Sequence, residues 1–218
     1  MIIELVTNNW ITVAIIFILF LIAVLKYFAP KQFADFMSLT KSNEYFVDYI
    51  EKSATFLTKF NSILLLIQTN IFALLFVKVN EHILKNNIEN EFLLFLKVNG
   101  VIIGYYFFRN LIGILLSKVL SLEESQNSLT YIKHSYLSKT SILILPMLIF
   151  ALYTISFKVI FIQIVLGFTL VLLLAKYAQI LIKNQKLIFS NLFYFILYLC
   201  ALEIAPLIFL YKLFIDKV

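Results

Sequence analysis

The chain has 218 residues, of which 62% are hydrophobic and only 14% charged, with a formal net charge of +6. Soluble domains average nearer half apolar and a quarter charged, and a mean hydropathy of +0.98 points the same way, so composition excludes a water-soluble globular fold. It also excludes a nucleic-acid-binding surface as the source of the positive charge, because no Lys/Arg cluster is interleaved with exposed aromatics.

Four glycines and three prolines, with apolar runs that are continuous rather than alternating, favour helices over a transmembrane barrel. The expected fold is an all-α, polytopic transmembrane bundle forming one domain. Residues 1–9 carry Glu4 and no Lys or Arg. No small-residue cleavage site follows, so the first apolar run, residues 9–29, reads as a retained span rather than a secretory signal. Pro30 stops it. Residues 31–59 are too polar for the bilayer core, yet they carry Phe33, Phe36, Met37, Tyr45, Phe46, Tyr49, Ile50 and Phe56 among lysines and acids. That mixture predicts an amphipathic helix in the interface, anchored there by its rings; a docking surface for a partner is the rival use of the same residues.

Further spans are expected at 60–79, 92–119, 138–157, 159–182 and 191–214. Each supplies the roughly 20 residues that cross about 30 Å of hydrocarbon. The stretch 139–182 is too long for one bilayer helix and is divided at Lys158. No internal repeat or low-complexity linker is visible.

Lysine placement sets the orientation. The loops after spans one, three and five, with their flanks, hold Lys26, Lys31, Lys41, Lys52, Lys59, Lys118, Lys133, Lys139, Lys176, Lys183 and Lys186, eleven in all. The opposite side holds five: Lys78, Lys85, Lys158, Lys212 and Lys217. The expected topology therefore puts these loops in the cytoplasm and both termini outside, in the periplasm of a Gram-negative cell. The multi-pass protein would sit in the bacterial inner membrane.

Glu203 stands out, because it interrupts the apolar run of residues 193–210. A charged carboxylate at that depth is costly without a partner or a proton. Arg109, within Tyr105-Tyr106-Phe107-Phe108-Arg109-Asn110, is the expected partner. The two lie about 14 Å and about 18 Å from the cytoplasmic ends of their spans at 1.5 Å per residue, within reach of a guanidinium fork. The pair either holds spans three and six in register or provides a protonatable, ligand-binding carboxylate; the structural role leads, because no span offers a second acid for a relay. Pro206 removes one helical hydrogen bond near Glu203, and Pro146 repeats the feature in span four.

Cys200 is the only cysteine, which excludes an intrachain disulfide and a multi-cysteine metal site, and leaves a small packing residue. Gln68, Thr69, Asn70, Asn110 and Gln163 are expected to hydrogen-bond between helices. His82 and His134 are expected in loops on opposite sides. No metalloprotease, nucleophile-elbow, Walker or EF-hand pattern is present. The reading is therefore of a non-enzyme with no catalytic residue, metal or cofactor.

The segment YLCALEIAPLIFLYK, residues 198–212, resembles the C-terminal signature of a family of Bacteroidota integral membrane proteins, the DUF4271 domain of unknown function. Tyr198, Cys200, Leu202, Glu203, Pro206, Tyr211 and Lys212 match its pattern of YLCxLEIxP followed by apolar residues and YK. The aromatic loop after span one, Arg109 with Gly113, and Leu145-Pro146 are similar more loosely. A histidine that often precedes the family motif is replaced here in the Phe193-Tyr194 region. The resemblance implies a bacterial inner-membrane protein and supplies no substrate. Two functions compete: a non-enzymatic, uncharacterised membrane subunit that assembles with envelope partners or with its own copies in the lipid bilayer, and a small transporter built around Glu203.

Overall fold

The computed structural model describes residues 9–38, 58–83, 90–120, 123–154 and 158–183. Among these residues there are six helices and no strands: α1 Asn9–Phe28, α2 Pro30–Ser38, α3 Lys59–His82, α4 Glu91–Leu120, α5 Glu123–Tyr153 and α6 Lys158–Lys183. All but α2 are long and apolar enough to cross a membrane. The sixth expected span, 191–214, lies outside the described residues, as does most of the segment 31–59.

Local chemistry accounts for where the helices begin. Pro30 opens α2, where its missing N–H costs nothing and its fixed φ suits the first turn. Thr58 caps α3 in extended backbone (φ −85°, ψ 155°), and its Oγ1 accepts from the Asn61 N–H at 3.3 Å. Asn90 Oδ1 accepts from the Leu93 N–H at 3.1 Å at the start of α4. Each cap satisfies a donor that the helix itself leaves open.

Helix α3 is the hub and packs against α1, α4, α5 and α6. Leu64, Ile67, Ile71, Leu74 and Val77 are all buried along it. The side-chain contacts establish an up-and-down order. Trp10 of α1 packs on Phe92 and Phe95 near the start of α4, and Thr12 hydrogen-bonds Tyr153 at the end of α5 at 2.8 Å. Phe150 of α5 meets Phe161 of α6, while Tyr136 lower on α5 meets Lys176 higher on α6. One end of the bundle therefore gathers Lys26, Lys31, Lys59, Lys133, Lys139, Lys176 and Lys183. The other gathers Trp10, Glu81, Glu91 and Tyr153.

The outer face is apolar. Phe107 is 69% exposed and Leu174 71% exposed, a placement suited to hydrocarbon rather than water. An apolar groove of about 960 Å³ runs between α3, α4 and α6, with Phe76, Val98 and Leu170 in its walls and Lys97 beside them.

Two expectations need correction. The fourth helix was expected at 138–157, but α5 begins at Glu123, and its span-length apolar stretch is Thr130–Tyr153. Hydropathy read the residues from Lys133 to Leu137 as loop, although the buried polar run extends from Lys133 to Ser141. In the fold these side chains turn inward and are buried. Thr140 donates to the Tyr136 carbonyl at 2.9 Å and Ser141 to the Leu137 carbonyl at 3.0 Å, so the helix supplies their partners. Helix α5 also continues through Pro146. The second correction concerns the interfacial rings. Phe36 of α2 is fully buried, with its ring 6.1 Å from that of Phe60 and 6.4 Å from that of Phe33. It anchors α2 to the bundle rather than to lipid headgroups.

Candidate functional site

A polar centre lies where α3, α4 and α5 meet. Gln68 of α3 is 1% exposed and is held at both ends of its amide. Its Nε2 donates to the Tyr106 hydroxyl of α4, and its Oε1 accepts from Ser138 Oγ of α5 at 2.9 Å. One turn earlier on α5, His134 Nε2 lies 3.2 Å from the Asn61 carbonyl and 3.5 Å from Ser138 Oγ. The Tyr106 and His134 rings meet edge to face with centroids 6.2 Å apart.

The donors are ordered. A carbonyl only accepts, so the contact with Asn61 places a proton on His134 Nε2. Ser138 already donates to Gln68, so its oxygen is the acceptor of the longer contact. Nε2 is therefore not a base for Ser138, and the two residues do not form a nucleophile–base pair. What the geometry does is tie three helices together through a largely buried chain of hydrogen bonds.

Arg109 stands one turn beyond Tyr106 on α4, half-buried and close enough for its charge to act on His134. Its expected partner, Glu203, lies outside the described residues, and so do Tyr198, Cys200, Pro206, Tyr211 and Lys212. His134 was expected in a loop; it is instead buried at 3% exposure inside α5. Its cytoplasmic-loop assignment failed because polar neighbours on both sides masked a helical face. The detectable signal was the spacing of His134 and Ser138, which share a face at i, i+4. Tyr106 had no such signal, because its partner is 38 residues away. Of the amides expected to bridge helices, Gln68 does so. Thr69 and Asn70 turn back on their own helix, both to the Leu66 carbonyl, at 3.1 and 2.7 Å.

The opposite end of α3 carries an ionic clasp. Lys78, only 1% exposed, contacts Glu81 at 2.5 Å and Glu91 of α4 at 3.0 Å. His82, expected in a loop, is the last residue of α3, and its Nδ1 lies 3.2 Å from Glu81. Among the described residues no group of three or more His, Cys, Asp or Glu converges.

Among the described residues, five span-length apolar helices, three of them joined at a polar centre, define the class: an α-helical membrane protein. The chain belongs to the DUF4271 family, a domain of unknown function whose family model matches residues 11–214. Comparison with curated proteins found no match. Comparison with solved structures found none either.

Proposed function

We propose that this is a non-enzymatic subunit of the bacterial inner membrane that assembles with envelope partners or with copies of itself. The observation that carries the reading is the buried polar centre. Gln68, His134 and Ser138 are each 3% exposed or less and bond one another instead of lining a path. Such a centre is built to hold helices in register. The groove between α3, α4 and α6 is apolar and does not supply a hydrated route to that centre. Helix α4 supports assembly. It is long, yet only 6% of its apolar stretch is buried against the described residues, and among those residues nothing lies within 4 Å of where side chains at Gly100 or Gly104 would begin. A second helix can approach closely at such a face.

The lysine-rich end of the bundle supports a cytoplasmic placement for that end and periplasmic termini. The C-terminal resemblance to Bacteroidota membrane proteins supports the compartment. The test is mild-detergent purification of the full chain with identification of co-purifying proteins, alongside mass measurement of the complex. A stoichiometric membrane partner or a defined oligomer is the expected result. A monomer with no partner, together with solute flux in proteoliposomes that Glu203→Gln abolishes, would replace this reading with the transporter.

A further inference from the structure

The apolar groove between α3, α4 and α6 occupies one half of the bundle. Its walls run from Phe72 to Val79 on α3, from Leu94 to Ile102 on α4 and from Leu166 to Leu173 on α6. The α3 and α4 walls lie next to the helix ends that carry Glu81 and Glu91, away from the lysine-rich end. Each wall is about 12 Å long at 1.5 Å per residue. That is close to one leaflet, half of the roughly 30 Å hydrocarbon core. The groove's volume of about 960 Å³ falls at the upper end of the range for small-molecule sites.

Lys97 stands on the α4 wall of this groove. It is exposed and forms no hydrogen bond or ion pair among the described residues. Glu91, at the start of the same helix, is already engaged by Lys78, as is Glu81. Lys97 lies about 9 Å beyond Glu91 along α4. Helical side chains lean towards the N-terminus, and a lysine stem runs along apolar surface. Lys97 therefore reaches back towards the start of α4 and brings its charge to the headgroup level.

An apolar groove one leaflet long with a cation at its mouth fits an amphiphile. Hydrocarbon matches the walls, and a phosphate matches the ammonium. A spanning helix fits less well. It would need contact along the whole core thickness, and it would cover the Lys97 charge with apolar side chains. We propose that the groove holds an acyl chain of an anionic phospholipid from that leaflet, with the headgroup phosphate on Lys97. The site rests on the membrane-protein class and not on the assembly reading.

The test uses the full chain in a neutral detergent, with native mass spectrometry as the readout. Dioleoylphosphatidylglycerol, dioleoylphosphatidylcholine or oleate is added. Phosphatidylglycerol should be retained over phosphatidylcholine by about fivefold, the scale that one lysine gives at an anionic surface. K97Q should remove the preference at unchanged Tm, and K97R should keep it. Leu170→Trp, which fills the groove from α6, should reduce retention of both lipids. Val101→Trp does the same from α4 if the first variant does not fold. Equal preference in wild type and K97Q would overturn the role of Lys97, and undiminished retention by the tryptophan variants would overturn the groove. Stronger retention of oleate than of phosphatidylglycerol would replace the phospholipid with a free fatty acid. Cross-linking in native membranes separates the remaining occupants. A V101C chain should form no disulfide with Cys200, and V101C/C200S should form no disulfide-linked dimer. The first bond would put a segment of this chain in the groove, the second a further copy, and either would overturn the lipid.

Discussion

Gln68 shows how one side chain can matter more than its hydropathy suggests. Its amide satisfies a hydroxyl on each of two neighbouring helices, so Gln68→Leu removes that partner from the buried Ser138 and the half-buried Tyr106. The expected loss is about 1–2 kcal/mol, since hydrogen bonds inside membrane bundles are individually modest. Adding Ser138→Ala should recover part of it, and strictly additive losses in thermal unfolding would remove the network from consideration. Lys78 is a different case. It is buried between two carboxylates, and Lys78→Met would leave Glu81 and Glu91 facing each other. Lower thermal stability is expected, with partial rescue by Glu91→Gln. The pairing of Arg109 with Glu203, read from sequence, remains a proposal at this scale. A double-mutant cycle between Arg109→Leu and Glu203→Gln should show coupling in stability if it holds, and independent effects would discard it.

At the scale of the element, α3 and α4 make opposite predictions. Helix α3 is the hub, and its start depends on Thr58. Thr58→Ala should cost about 1 kcal/mol, measurable as a lowered Tm, whereas Thr58→Asp should be nearly neutral. Among the described residues, nothing packs against α4 at Gly100 and Gly104. Gly104→Leu should leave the monomer's stability unchanged but reduce co-purification of a partner or self-association. A destabilised monomer with intact association would contradict the assembly role of α4. Helix α5 carries the lesson about boundaries. Its polar stretch from Lys133 to Leu137 was hidden from hydropathy, because polar residues that face a neighbouring helix look the same in sequence as those that face water.

For the whole molecule, the asymmetric distribution of lysines predicts which end faces the cytoplasm. Reporter fusions after Lys41 and Lys183 should read cytoplasmic, and one after Asn87 periplasmic; the reverse pattern would invert the topology. A fusion at Lys133 is uninformative, because it cuts α5 within its buried stretch. The sequence by itself determined the membrane class, the helical fold and the positions of the span-length helices α1, α3, α4 and α6. Those follow from continuous apolar length and from caps such as Pro30 and Thr58, which are local properties of the chain. Only the tertiary structure decided that α3 is the hub, that His134 is buried, that Lys78 bridges two helices, and that Lys139 reaches the Met37 carbonyl. Each depends on contacts between residues far apart in sequence. Hydropathy records how apolar a residue is, whereas burial of a polar group is decided by whether a distant partner completes its hydrogen bonds.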